Sequence, residues 1–216
     1  GDTIALPQGA ACLLRLTAIG RGGRRVPERA GGKAGDGLWL AGSLGDHAGD
    51  LALLRKDSRA SVPLGDIYRR PGPQLGAGEV LAPHAHAMMD VSDGLLLDGH
   101  RMAHASGCAM VIELDRLPIS AAFVAERGAG VAARLFAATA GDDYALLAAL
   151  PPQLDPATLS LPQGTKIACI GALSAGEASL SLTSGGEPVE LPERLGFEHQ
   201  GDDGSGRIAP PMADRP

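Results

Sequence analysis

A chain of 216 residues with 44% hydrophobic and 20% charged side chains has the apolar content for a buried core, which excludes global disorder. Its formal net charge of −6 excludes the basic face that a nucleic-acid surface requires. No apolar run approaches the roughly eighteen residues of a membrane span, and no signal peptide is visible.

In chain order, residues 12–20, CLLRLTAIG, predict a strand closed by glycine. Residues 21–36 form a basic, glycine-rich connector whose density of breakers marks a domain junction. GLWLAGSLG (37–45) predicts a buried strand running into a tight turn, and DHAGDLALLRK (46–56) the helix after it. Residues 68–83 are a proline-punctuated loop with a short helix at its end. HAMMDVS (86–92) is the next strand and 93–106 the next helix, on which Leu95, Gly99, Met102 and Ser106 share one face with Leu96 and Ala103 beside it. CAMVIEL (108–114) returns as a strand, followed by helices over 119–126 and 129–139. YALLAAL (144–150) and KIACIGAL (166–173) are apolar strands with a proline-bounded helix between them. Short strands and turns fill 178–200, and 201–216 reads as a flexible tail. Strands and helices without a strict βαβ rhythm predict an α+β fold, helices packed on a mixed, mostly antiparallel sheet.

One Trp, two Tyr and three Phe leave the core to Leu, Ala, Val and Ile, while 31 glycines and 16 prolines mark many turns. Cys12, Cys108 and Cys169 lack any Cys-x-x-Cys spacing and read as reduced, mostly buried thiols of a cytoplasmic protein. The chain begins with Gly1 in place of methionine, which points to a partial chain.

Three acidic clusters stand out. In AMMDVSDGLLLD, Asp90 and Asp93 flank a strand-to-helix junction with Ser92 between them. Two readings stay open there. Ser92 caps the helix and Asp93 answers its dipole, or the two carboxylates share a divalent cation, since they otherwise repel. Mg²⁺ suits the second reading because it takes carboxylate oxygens and keeps positions for phosphate. Asp142 and Asp143 precede an apolar strand, either as a solvated turn or as a ligand-facing pair, with Gly141 as the expected C′ residue of the preceding helix. Asp2 follows Gly1 in a Gly-Asp turn. Arg24, Arg25 and Arg29 in the connector are solvated or meet a phosphate. An acidic protein recruits a phosphate ester most readily through divalent cations.

AMMDVSDGLLLD (87–98), LPIS (117–120) and AGDDYALL (140–147), at this separation, resemble the thiamine-monophosphate kinase family of the AIR-synthase-like superfamily. GDT with LTAIG, the run from Glu28 to Leu54, the Pro-x-Pro segment and LGFEH (195–199) are similar to the same family, so the resemblance covers nearly all of 1–200. It implies an AIR-synthase C-terminal-domain-like α+β domain over 25–200, with 1–24 the remnant of an N-terminal ATP-binding domain. It implies ATP, Mg²⁺ and thiamine monophosphate as ligands, and a homodimer for the full-length protein. Carried over by position, Asp90, Asp93 and Asp2 bind Mg²⁺; Gly1, Arg29 and Ser92 contact ATP; Asp142 and Phe197 contact thiamine monophosphate. No catalytic side chain is implied, because the nucleophile is a phosphate oxygen. Asp142 stands where the family has glutamate, and Asp50 where it has glycine. With its ATP-binding domain absent, the chain by itself is expected to be inactive, and its orphaned strand at 12–20 to be sticky. Two rival readings are a related ATP-dependent enzyme acting on another small molecule, and a non-catalytic substrate-binding half.

Overall fold

A computed structural model describes residues 16–21, 25–57 and 67–197. Its elements are β1 (Gly37–Ala41), α1 (Asp46–Lys56), α2 (Leu75–Leu81), β2 (Ala87–Val91), α3 (Leu95–Ser106), β3 (Ala109–Glu113), α4 (Ala121–Arg127), α5 (Val131–Thr139), β4 (Ala145–Leu150), β5 (Ile167–Ser174), β6 (Ser179–Ser184) and β7 (Glu187–Val189). The seven strands form one sheet in the order β2-β4-β1-β5-β3-β6-β7. Every pairing is antiparallel except that of β3 with β6. The expected α+β architecture is therefore the one observed.

The apolar runs of the central strands follow from cover on both faces. Successive strand side chains point to opposite sides. In β4, Ala145, Leu147 and Ala149 join the main core, whereas Leu146, Ala148 and Leu150 join a smaller cluster with Leu81 and Ala85. In β1, Leu38 and Leu40 face the main core while Trp39 faces the smaller one. The main core also takes the buried stripe of α3 (Leu95, Leu96, Met102, Ala103) and Phe123 of α4. Phe136 of α5 packs against it, stacked on Phe123 with ring centroids 6.3 Å apart.

A part-buried side-chain hydrogen bond ties the connector to this sheet. Asp36, just before β1, accepts the Lys33 backbone N–H at 2.8 Å and lies 2.9 Å from His86 Nδ1, just before β2. Cys108 is buried and Cys169 half-buried, both free thiols. Among the described residues no helix is long and apolar enough to cross a membrane.

Four expectations are corrected or bounded. Residues 16–20 of the predicted first strand carry no pairing, because no described strand lies beside them; Leu16 and Ile19 are 92% and 96% exposed. Residues 12–15 lie outside the described residues. The helix expected between β4 and β5 is only a 3-10 turn at Pro156–Thr158, where Asp155 accepts from Ala157 N–H and the flanking prolines limit extension. The helix expected from 93 starts two residues later, with Gly94 and not Ser92 as its N-cap. The two residues before Gly94 are instead held in the turn: Asp98 Oδ2 accepts the backbone N–H groups of Ser92 and Asp93, both at 3.0 Å. Gly1, Asp2, Arg24 and the tail 201–216 lie outside the described residues.

Candidate functional site at one end of the sheet

β1 and β2 both run antiparallel to β4, so their carboxyl ends meet the start of β4. The segments Gly42–Asp46, Asp90–Asp93 and Gly141–Tyr144 are thereby gathered at one end of the sheet. The junction after β2 is stitched to the turn before β4 by two backbone hydrogen bonds. Asp142 N–H donates to Ser92 O at 2.8 Å and Tyr144 N–H donates to Val91 O at 3.0 Å. Both donors sit in the left-handed region, Asp142 at φ 66 and Tyr144 at φ 50. That conformation costs a non-glycine residue roughly 1–2 kcal/mol, so strain is concentrated here. Gly94 is required for the close approach: at φ +114, an added Cβ would lie 2.9 Å from Thr139 O. A fourth segment closes the site, where Phe197 N–H donates to Asp93 O at 2.8 Å.

The side chains divide into an exposed and a buried layer. In the outer layer, Asp90 and Asp142 are exposed, and the Tyr144 phenol reaches Asp142 Oδ1 at 3.5 Å. Burial, then the charges of Asp142 and Asp90, raises the Tyr144 hydroxyl above its ordinary range. Asp90 and Tyr144 also edge a shallow cavity of about 320 Å³ whose apolar wall includes Pro73, Leu75 and Leu146. Asp93 is paired: Arg101 Nη1 donates to its Oδ2 at 2.6 Å and to Asp98 Oδ1 at 2.8 Å. The Asp93 hydrogen bond is the largest cause holding the Arg101 guanidinium above its ordinary pKa.

The buried layer lies under the turn. Asp143, 6% exposed, accepts Gly45 N–H with both oxygens at 2.9 and 3.1 Å and lies 3.6 Å from His47 Nδ1. Burial pushes its carboxyl up to about 6, against the opposing pull of His47 and the Gly45 N–H. Asp46 accepts from the hydroxyls of Ser43 at 3.0 Å and Ser120 at 2.6 Å. Asp50, buried where glycine was the expected residue, accepts Tyr68 N–H at 3.3 Å and so ties α1 to the segment leading into α2.

Of the residues singled out from sequence, Asp90, Ser92, Asp93, Asp142 and Phe197 come together at this end. Arg29 does not join them. Its carbonyl accepts from Ser106 Oγ at 3.4 Å at the far end of α3, about 18 Å along a 12-residue helix from the turn. Asp98, Arg101 and His47 were not anticipated, and Asp143, noted beside Asp142, is buried under the turn instead of facing out of it. The one available signal was the single aspartate, Asp98, inside the apolar face of α3.

Among the described residues, no three His, Cys, Asp or Glu side chains converge as a metal-ligand group. The donors at the turn are nonetheless all carboxylate oxygens, two of them on exposed side chains. Such a set does not make an all-protein cage. It fits Mg²⁺ held by one or two carboxylates together with the phosphates it bridges.

Comparison with known proteins converges on one family. Residues 33–179 match the family described as AIR synthase related protein, C-terminal domain. The chain is 35% identical over 179 residues to the thiamine-monophosphate kinase of Caulobacter vibrioides, covering 79% of this chain and 50% of that protein. It is 34% identical over 184 residues to that of Salmonella typhimurium, covering 81% and 55%. The chain thus spans about half the length of the curated relatives it matches. Among solved structures, thiamine-monophosphate kinase from Stenotrophomonas maltophilia superposes with a TM-score of 0.65 at 29% identity, covering 77% of this chain and 55% of that one. AaThiL complexed with AMPPCP and TMP superposes with a TM-score of 0.65 at 27% identity, covering 81% and 55%.

Proposed function

This chain belongs to the AIR synthase related protein family, whose C-terminal domain it carries, and from that premise we propose that it serves Mg²⁺-dependent transfer of the ATP γ-phosphoryl group to thiamine monophosphate, giving thiamine diphosphate. The observation that carries the reading is the meeting of three separate motifs: Ser92 O with Asp142 N–H, and Asp93 O with Phe197 N–H. Relatives named thiamine-monophosphate kinase, and a neighbour bound to AMPPCP and TMP, support it.

The chemistry asks little covalent work of the protein. The attacking group is a phosphate oxygen, ionised at neutral pH, so no Ser-His-Asp or Cys-His arrangement is needed. The obstacle is to hold two polyanions in line, which is a matter of positioning and charge compensation. Mg²⁺, when bound, would supply that charge compensation. Asp90 and Asp93 are the residues of this chain that would hold it, with Asp2 as a further ligand. Ser92, whose hydroxyl is not used as a helix cap, together with Gly1, is assigned to ATP; Arg29, at the far end of α3, is not part of that site. Asp142 and Phe197 are assigned to thiamine monophosphate, with the exposed Phe197 ring as an apolar wall. A homodimer is part of the same reading, as is a cytoplasmic location, with which the free thiols of Cys108 and Cys169 agree.

The test is calorimetric titration of the chain with thiamine monophosphate and then with Mg-ATP, alongside an assay for thiamine diphosphate. Saturable binding of thiamine monophosphate, weakened by Asp142→Asn, is the expected result. Binding of neither ligand would overturn the reading.

A further inference from the structure

We propose that Arg101 is the resident counter-cation of the Asp93 carboxylate, a positioning residue that sets how tightly the turn after β2 takes a divalent cation. The proposal rests on the phosphotransfer reading above.

Side chains on a helix lean toward its N-terminus. Arg101, eight positions beyond Asp93, uses that lean to bring its guanidinium back over the turn. A single nitrogen, Nη1, bridges Asp93 Oδ2 at 2.6 Å and Asp98 Oδ1 at 2.8 Å. Asp98 is itself 1% exposed and commits its second oxygen to the Ser92 and Asp93 N–H groups. Arg101 is therefore anchored on a carboxylate that cannot move without releasing the turn. Asp93 gives Arg101 one oxygen and keeps Oδ1 for another partner.

A divalent cation arriving at that oxygen meets a fixed positive charge across the same carboxylate. At a separation of about 5 Å in a water-like dielectric, the repulsion between charges of +2 and +1 lowers affinity on the order of tenfold. Arginine does not deprotonate in proteins, so this setting holds at every working pH. A site that must hand over a cation-bound phosphate product needs such weakness, because cations held too tightly would keep the product in place.

A strut alone would have the opposite signature. If Arg101 only braced the turn, its removal would loosen Asp93 and weaken cation binding. If it is a counter-charge, its removal tightens binding.

The experiment titrates Mn²⁺ into the full chain, as wild type, Arg101→Gln, Arg101→Met and Arg101→Lys, with free Mn²⁺ read by its paramagnetic signal. Affinity is measured at low salt and at about 1 M salt, where screening acts within about 3 Å. The neutral variants are expected to bind Mn²⁺ about tenfold tighter than wild type at low salt, with the gap closing at high salt, while Arg101→Lys stays within about twofold. Equal or weaker binding by the neutral variants, or a gap that ignores salt, overturns the proposal. So does failure of both neutral variants to fold by circular dichroism, which would make Arg101 structural. A wild-type chain that binds no Mn²⁺ strikes the metal-dependent function as well, whereas wild-type binding with an unchanged Arg101→Gln strikes only Arg101.

Discussion

Asp98, buried on α3, accepts the backbone N–H of Ser92 six residues earlier at 3.0 Å. A side chain inside the helix thus reaches back past its N-cap, Gly94, and fixes the loop before it. One carboxylate serves the Ser92 and Asp93 N–H groups and the Arg101 guanidinium together.

Replacing that carboxylate should loosen the turn more than the helix. Asp98→Ala leaves two backbone donors and Arg101 without their acceptor, at a cost of about 1–3 kcal/mol for the unsatisfied groups. Urea unfolding should show a lower midpoint at unchanged m-value. An unshifted midpoint would mean water replaces Asp98 freely.

How much of this was legible beforehand divides along physical lines. The strands β1 and β4 were readable because sheets covered on both faces demand continuous apolar runs, and GLWLA and ALLAAL supply them. α3 was readable from its stripe, but its start was misplaced by two residues, since a Ser beside a helix is the usual cap and the bond from Asp98 exists only once the turn has folded. The aspartates of AGDDY looked alike as a solvated turn. Only the fold distinguishes exposed Asp142 from Asp143 buried under Gly45. Strand character at 16–20 was misleading because β-prone residues need a neighbouring strand to form a ladder.

Asp143 should make stability fall as pH rises. Its folded pKa of about 6 lies above the ordinary 3.8, so between these values the native state holds a proton that the unfolded chain has released. Stability contributed by the neutral carboxyl is complete below about pH 4 and lost as pH climbs through 6, a change on the order of 3 kcal/mol. Urea midpoints of wild type and Asp143→Asn between pH 4.5 and 7.5 should therefore separate, wild type gaining relative to the variant toward acid. Parallel profiles would show that Asp143 titrates normally.

Gly45 is where the buried layer meets the core. Its φ is +84, and an added Cβ would lie 2.6 Å from the Phe123 ring and 2.9 Å from Ala137 Cβ. Gly45→Ala combines left-handed strain with overpacking and should cost about 2–4 kcal/mol. Thermal unfolding is the direct check, and a change below about 0.5 kcal/mol, typical of benign surface sites, would contradict the geometry.

Asp90 should separate stability from function. Its carboxylate is exposed and has no ion-pair partner among the described residues, so Asp90→Asn should alter folding by no more than about 0.5 kcal/mol. As a metal ligand, the same change made in the full-length enzyme should cost Mg²⁺-dependent turnover on the order of a hundredfold. Normal turnover in the variant would end its assignment to the metal.

Asp142 should show the reverse trade. Held at φ 66 by its N–H bond to Ser92 O, it pays left-handed strain that glycine does not, though glycine loses more entropy on folding. The balance favours Asp142→Gly by about 0.5–1 kcal/mol, a gain visible in the urea midpoint. The same change removes an exposed carboxylate from the proposed thiamine monophosphate contact, so affinity for that ligand should fall about tenfold, as for one charge-assisted hydrogen bond. Greater stability with weaker binding would show that the strain is kept for the ligand. Greater stability with unchanged binding would remove Asp142 from the substrate site and leave Phe197 as its remaining contact on this chain.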